Sequence, residues 1–232
     1  MDLSSFSVFS NDIALDTEKG IITKTYSLNV DVDISHHELK KLMDDYILSM
    51  RKANINIPKV IDSSSDEHSI TYVCEFCGRN IVEIGLTMDT FLNFKIHIKR
   101  MLEMVSLAMK NRLYFDPHPK NFVFDKNDNI YYVDFFPPYT KELKEKRLAI
   151  AKESEKKIIS DNYDYFHDNF LPPHFCGDFL NINPKFEIFF SEIYNEASNL
   201  EIVSDSLEEF IAVAKSIRRT EDLRIERKID LL

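Results

Sequence analysis

Three polar residues near the middle of the chain have the types and the spacing that phosphoryl transfer requires. Asp116 is followed five residues later by Asn121, and Asp134 comes thirteen residues after Asn121. Oxygen ligands are needed to hold the Mg²⁺ that bridges nucleotide phosphates, and a carboxylate is needed to orient an attacking hydroxyl. Asp and Asn also cap turns, and this simpler role is the alternative for each residue taken singly. The three together, in this order, indicate a phosphoryl-transfer site.

The surrounding sequence predicts how these residues are positioned. Apolar residues at helical spacing predict a helix from about residue 90 to 110, and two prolines in the segment 113–121 prevent it from continuing. Residues 122–124 and 130–133 predict two short strands, which a turn at 125–129 joins into a hairpin. A stiff loop followed by a hairpin leaves the acids and the amide at loop and strand ends, where we expect a cleft.

The segment upstream predicts strands and one helix. Alternating apolar residues predict strands within residues 5–32, interrupted by a turn at Glu18–Gly20. Ser35 and Glu38 have the spacing of a capping box, which predicts the start of a helix that ends near Asn54. The N-terminal part of the chain is therefore expected to form a small sheet with a helix beside it.

Strands and then helices account for the rest of the chain. Two further strands are predicted at 58–62 and 69–76, separated by a polar turn at 63–67. A charged helix is predicted at 140–160, and two or three more helices fill the remainder up to Leu232. The fold class predicted from this order is α+β.

One lysine stands out within the first strands. Lys24 lies on an otherwise apolar strand face, between Ile22 and Tyr26 in the alternating pattern. Burying an ammonium group among apolar side chains is costly unless it has a partner. We therefore expect a carboxylate or a phosphate group beside Lys24.

The motif DPHPKN at residues 116–121 closely resembles the D-x-H-P-x-N loop of aminoglycoside and choline phosphotransferases, and its DPHP part resembles the atypical kinases of ubiquinone biosynthesis. The run 133–135 (VDF) matches the place where these families, like protein kinases, carry their metal-binding Asp. The resemblance implies a two-lobed kinase-like fold, with a strand-rich N-lobe over residues 1–78 and a helical C-lobe over residues 79–232. A hinge is expected near Gly78.

The same resemblance implies roles for the residues of the motif. Asp116 would be the catalytic base, and Asn121 and Asp134 would bind Mg²⁺. His118 would lie near the phosphates of ATP. In a kinase-like fold a strand lysine holds nucleotide phosphates, and Lys24 is the candidate for that role.

The resemblance further implies an acidic partner for Lys24 and a place for adenine. Glu38, on the following helix, is the candidate acid, with the capping-box role as an equal alternative, and Asp44 and Asp45 are substitutes. The strand segment that contains Glu75 and Cys77 would be the hinge, and its backbone groups would bind adenine.

Composition and charge exclude several classes of partner. The formal net charge of −10 argues against an extended nucleic-acid or anionic-lipid surface. No apolar run approaches the length of a membrane span, and the N-terminus lacks the pattern of a secretory signal. Three cysteines do not suggest a disulfide framework, so a cytoplasmic location is expected.

Two functions from different classes agree with the motif. The first is ATP- and Mg²⁺-dependent phosphoryl transfer to a hydroxyl acceptor, expected to be a small molecule, and retention of the three polar residues favours it. The second is a catalytically inactive binding or scaffold protein, for which a protein partner is left open. It is favoured by the lack of glycine between Phe9 and Lys19, by Tyr114 in place of the family's His, and by Phe136 in place of its Gly.

A zinc site is a more distant alternative. Cys74 and Cys77 have the spacing of half a zinc knuckle, which His174 and Cys176 could complete. Cys74 lies in an apolar strand, however, where cysteine often serves as a small hydrophobic residue.

Overall fold

The computed structural model describes residues 9–28, 34–135, 141–151, 153, 156–157, 160 and 164–229. The outer ends of the first predicted strand segment, at residues 5–8 and 29–32, lie outside the described residues, as do Phe136 and parts of the predicted charged helix. The described chain is mixed α+β, with a strand-rich N-terminal region followed by a helical C-terminal region. The fold class predicted from the sequence is confirmed at this level.

Four antiparallel strands form the N-terminal sheet. They are β1 (Phe9–Asp16), β2 (Ile21–Leu28), β3 (Val60–Ser65) and β4 (Ile70–Glu75), in the order β1-β2-β4-β3. The alternation in β2 is confirmed, because Lys24 and Tyr26 are both buried on the same face. The predicted turn between β1 and β2 is also confirmed.

The boundary between β3 and β4 differs from the prediction. The serines at 63–65 were expected to form a turn, but they pair with residues 70–72 of β4 and complete β3. Backbone pairing does not require apolar side chains, and β3 is an edge strand. The turn lies later in the chain and begins at Asp66, whose carboxylate accepts hydrogen bonds from the backbone N–H groups of His68 and Ser69.

Helix α1 (His36–Lys52) packs against this sheet. Ser35 is its N-cap and both halves of the predicted capping box are formed with Glu38. Apolar residues at helical spacing supply its buried side, and these are Leu39, Met43, Tyr46, Ile47 and Met50. Asp44 links the helix to the sheet, because its carboxylate accepts a hydrogen bond of 2.8 Å from the Tyr72 hydroxyl of β4.

A second, smaller sheet begins directly after the first. Strands β5 (Arg79–Asn80), β6 (Phe122–Phe124) and β7 (Ile130–Tyr132) pair antiparallel in that order, so the predicted hairpin is confirmed. Gly78 separates the two sheets at φ 122°, where a Cβ atom would lie 1.9 Å from the Phe124 carbonyl oxygen. Only glycine allows the chain to pass so close to β6.

Helices make up most of the C-terminal region. A 3₁₀ turn (Phe91–Phe94) leads into α2 (Lys95–Lys110), and α3 (Lys141–Ile150), α4 (Leu171–Ile182), α5 (Phe190–Asn199) and α6 (Leu207–Ile229) follow. Aromatic contacts hold the 3₁₀ turn to the later helices, since the Phe91 ring stacks on Phe189 with centroids 3.9 Å apart and meets Phe179 edge-on. Within the ranges given above, no helix has the length and apolarity to cross a membrane.

Candidate functional site

The Asp116 loop (residues 114–121) runs from α2 to β6. Pro119 begins a single 3₁₀ turn, Pro119–Asn121, at the end of the loop. Two hydrogen bonds fix the polar residues within it, because the His118 backbone N–H donates to the Asp116 carboxylate at 3.0 Å and the Lys120 N–H donates to His118 Nδ1 at 3.1 Å. The His118 side chain therefore caps the turn and accepts a hydrogen bond in its neutral form.

The protonation state of His118 agrees with this capping role. Burial, together with the positive charges of Lys120 and Arg218, lowers the pKa of His118 to about 3. The imidazole is therefore neutral at physiological pH and keeps its lone pair for the Lys120 N–H. The sequence-based expectation that His118 lies near ATP phosphates stays a prediction.

The hairpin connects Asn121 to the segment that carries Asp134. The Val133 N–H donates to the Asn121 carbonyl at 2.8 Å, one bond beyond the ladder of β6 and β7. The Asn121 side chain turns back to the loop, where its Nδ2 donates to the Asp116 carbonyl at 3.4 Å. Asp116, Asn121 and Val133 thus belong to one hydrogen-bonded unit, and Asp134 follows Val133 directly.

Lys24 reaches this unit from the N-terminal sheet. Its Nζ donates to the Val133 carbonyl at 2.6 Å and lies 5.4 Å from the centre of the Phe135 ring. The residue is 7% exposed, and burial lowers the pKa of Lys24 although the negative charge of Asp134 acts in the opposite direction. The structure therefore brings Lys24 to the site that holds Asn121 and Asp134.

The helix acids do not pair with Lys24. Both the N–H and the hydroxyl of Ser35 donate to Glu38 at 2.9 Å, and the backbone N–H bond is the first cause that lowers the pKa of Glu38. Asp44 pairs with Lys40 and Tyr72, and Asp45 is exposed. The expected contact between Lys24 and an acid of α1 is therefore corrected: Lys24 donates to the Val133 carbonyl instead, and capping directs Glu38 toward its own helix end.

The candidate hinge follows β4. The Glu75 N–H donates to the Lys59 carbonyl and the Phe76 N–H to the Gly20 carbonyl, both at 2.9 Å. The Cys77 thiol is buried against the Glu75 carbonyl, with Sγ 3.7 Å from that oxygen, and burial is the first cause that raises the pKa of Cys77 to about 12. These contacts hold the segment between the two sheets, and its proposed contact with adenine stays a prediction.

The zinc alternative gains no support from the described part of the chain. Cys74 lies within β4, where burial raises the pKa of its thiol to about 11, and Cys176 is fully buried in α4. His174 contacts the Tyr165 carbonyl through Nδ1 and Asp178 through Nε2. Among the residues the structure describes, no three His, Cys, Asp or Glu side chains form a group that could hold a metal ion.

Two tyrosines that the sequence analysis did not assign to the site contact the Asp116 loop. The Tyr46 hydroxyl donates to the Tyr114 carbonyl at 2.9 Å, and the Tyr132 hydroxyl donates to the Asp116 carbonyl at 3.1 Å. The sequence predicts only that Tyr46 lies in a helix and Tyr132 in a strand. A buried tyrosine usually has a hydrogen-bond partner for its hydroxyl. Tyrosine rather than phenylalanine at these two positions was therefore the sequence signal for such a contact.

Comparison of the chain with protein-family models and with curated proteins finds no match.

Proposed function

We propose that the chain is a kinase-like phosphotransferase, which uses ATP and Mg²⁺ to transfer a phosphoryl group to a hydroxyl acceptor. The observation that carries the proposal is the contact of Lys24 with the Val133 carbonyl. It brings a buried cation from the N-terminal sheet beside Asp134, at the end of the hairpin that begins at Asn121. In the proposed role the Lys24 ammonium would contact ATP phosphates, and the side-chain oxygens of Asn121 and Asp134 would bind Mg²⁺.

Electrostatics support an anionic ligand at Lys24. Burial disfavours the charged ammonium and lowers the pKa of Lys24, so a negative group beside it would offset the cost of desolvation. Asp134 offsets part of that cost. Phosphate oxygens of Mg²⁺-bound ATP would offset more, with Asn121 and Asp134 as the ligands of the metal ion.

The state of Asp116 supports its role as the base that orients the acceptor hydroxyl. The residue is half-buried, and its carboxylate accepts a hydrogen bond from the His118 N–H. The loop around it contains Pro117 and Pro119, whose rings fix φ. A carboxylate held in one orientation can accept the acceptor's hydrogen bond without further ordering.

An exposed apolar surface beside Lys24 supports a planar, partly apolar ligand. Ile13 pairs with Lys24 and Leu15 pairs with Ile22 across β1 and β2, and paired residues of antiparallel strands point to the same face. The side chains of Ile13 and Leu15 are 58% and 47% exposed. On the face that carries Lys24, they could cover the ring of an adenine.

A catalytically inactive nucleotide-binding protein of the same fold is the second candidate. The turn from β1 to β2 favours it, because the turn has two acids, Asp16 and Glu18, and a single glycine, Gly20. The Asp16 carboxylate accepts from the Lys19 N–H and pairs with the Lys19 ammonium, both at 3.0 Å. Such a turn offers less to phosphates than a glycine-rich loop does, and only a turnover measurement separates the two candidates.

Thermal denaturation with ATP tests the proposal. If Asn121 and Asp134 bind Mg²⁺, millimolar ATP should raise the melting temperature only when Mg²⁺ is present; at a hundredfold excess over Kd the stabilisation is about 2.7 kcal/mol. Asp134→Asn should lose this Mg²⁺-dependent shift. Asp128→Asn, an exposed acid in the turn of the same hairpin, should keep it.

Two outcomes would contradict the metal assignment. The first is a wild-type protein that shows no Mg²⁺-dependent shift at millimolar ATP. The second is an equal loss of the shift in Asp134→Asn and Asp128→Asn, since only a general effect on the hairpin would explain it.

A further inference from the structure

Two buried hydroxyls bind the backbone on both sides of Phe115. Tyr46 of α1 is 5% exposed and donates to the Tyr114 carbonyl at 2.9 Å, and Tyr132 of β7 is fully buried and donates to the Asp116 carbonyl at 3.1 Å. The donors come from different parts of the fold, one from the N-terminal helix and one from the hairpin. They reach two carbonyl groups of the same loop, those of Tyr114 and Asp116.

The loop depends on such side-chain donors, because residues 114–118 lie outside helix and sheet. Its carbonyl groups need partners when they are buried, and Pro117 and Pro119 provide no N–H group. Phe115 is held from a third side, since its N–H donates to the Phe166 carbonyl at 2.9 Å. The Phe115 ring stacks on the Tyr132 ring with centroids 4.1 Å apart, which fixes the residue that precedes Asp116.

Both hydroxyls remain donors at physiological pH. Burial raises the pKa of Tyr46 and of Tyr132 well above the ordinary value, and the negative charges of Asp116 and Asp134 act in the same direction. The same charges place both tyrosines within electrostatic range of the two acids of the site.

We propose that Tyr46 and Tyr132 are positioning residues, whose hydroxyls hold the backbone at Tyr114 and Asp116 and thereby set the orientation of the Asp116 carboxylate. This inference rests on the proposed function, in which Asp116 orients the acceptor hydroxyl. It adds a connection between helix α1 and the Asp116 loop, since a displacement of α1 would withdraw the Tyr46 hydroxyl from the loop. Neither tyrosine contacts substrate in this role.

The test removes one hydroxyl at a time and keeps the ring. Tyr46→Phe and Tyr132→Phe should each lower ATP hydrolysis or phosphoryl transfer about tenfold, while the Kd for Mg²⁺–ATP changes less than about twofold. Tyr194→Phe is the matched control, because the Tyr194 hydroxyl also donates to a backbone carbonyl, that of Asp205, at 2.9 Å. It should leave both quantities unchanged.

A double-mutant cycle separates positioning from a general effect on structure. If the tyrosines act through Asp116, then Tyr46→Phe should cost less than about twofold in turnover once Asp116→Asn is present. An equal cost in both backgrounds, or a rise in Kd that parallels the loss of turnover, would overturn the positioning role.

The remaining outcomes distinguish this inference from the proposed function. An active wild type that loses turnover in Asp116→Asn but keeps it in both Phe variants overturns the inference and leaves the function standing. A wild type that neither binds Mg²⁺–ATP nor turns it over overturns the proposed function, and the inference fails with it.

Discussion

The Asp116 loop and the turn between β1 and β2 are both short connections, but different forces hold them. Contacts from distant parts of the chain fix the loop, since Tyr46, Tyr132 and Phe166 bind its backbone. The turn is closed mainly by its own residues. The loop that carries Asp116 is thus held by tertiary contacts, whereas the turn that reverses the chain relies mainly on local ones.

The turn shows how few long-range contacts a simple reversal needs. Asp16 and Lys19 close it through one backbone hydrogen bond and one ion pair, in which the side chains are 37% and 73% exposed. Gly20 has φ 64°, and nothing lies within 4 Å of the Cβ position it would have as alanine. Within the part of the chain that the structure describes, a backbone bond from the Phe76 N–H to the Gly20 carbonyl ties the turn to the rest of the sheet.

The largest expected difference is between Gly78, which lies against β6 of the hairpin, and Gly20, which lies in the turn. Gly78→Ala should destabilise the protein by roughly 4 kcal/mol or more, because φ is positive and the new Cβ would collide with the Phe124 carbonyl next to the hairpin. Gly20→Ala has only the cost of its positive φ, about 1 kcal/mol. Denaturant unfolding measures both, and equal losses would show that the region next to the site is no more constrained than the turn.

Asp116→Asn tests whether the rigid loop serves catalysis. We expect at least a hundredfold loss of phosphoryl transfer or ATP hydrolysis, about 2.7 kcal/mol in the barrier, because the amide cannot act as a base. Binding of Mg²⁺–ATP should be retained. Asp89→Asn, at an exposed acid in the turn before α2, is the control.

A wild type and an Asp116→Asn variant with the same measurable rate would show that Asp116 is not the base. A wild type that binds Mg²⁺–ATP but acts on no acceptor in a broad panel, and hydrolyses no ATP, would favour the catalytically inactive candidate.

Substitutions of Lys24 and Lys19 compare the effect of a buried cation with that of an exposed one. Lys24→Met should leave the protein folded but weaken ATP binding about tenfold, or about 1.4 kcal/mol, because the buried ammonium would contact phosphate. Lys19→Met, in the exposed turn, should leave affinity unchanged. Titration calorimetry gives both values, and equal affinity in Lys24→Met and wild type would remove Lys24 from the nucleotide site.

The smallest effect is expected in the turn itself. The backbone N–H and the ammonium of Lys19 lower the pKa of Asp16, so its contribution to stability is present above the ordinary pKa of an aspartate and is lost as the pH falls through the lowered value. Asp16→Asn should therefore lower the melting temperature by about one or two degrees at pH 7 and by less below about pH 4.

The difference in melting temperature between wild type and Asp16→Asn should also become smaller in high salt, because salt screens an exposed ion pair. ATP affinity should not change. Tighter ATP binding by Asp16→Asn would show that the Asp16 carboxylate lies close enough to the phosphates to repel them. The turn would then belong to the nucleotide site.

The sequence predicted the local elements well, because their causes lie within a few residues. The capping box of Ser35 and Glu38 needs only a spacing of three, and the hairpin needs only two short apolar runs around a polar turn. The end of β3 was missed for the opposite reason. Pairing with β4 decided that the serines at 63–65 are extended, and their side chains gave no sign of it.

The sequence by itself determined which polar residues share the loop and the hairpin, since Asp116, Asn121 and Asp134 are close in the chain. Only the tertiary structure decided what Lys24 contacts, because its partner, the Val133 carbonyl, is 109 residues away and is a backbone group that no residue type reveals. The same holds for Tyr46, whose partner carbonyl is 68 residues away. Side-chain chemistry can be read from residue types, but the backbone groups that satisfy a buried ammonium or hydroxyl depend on how distant segments pack.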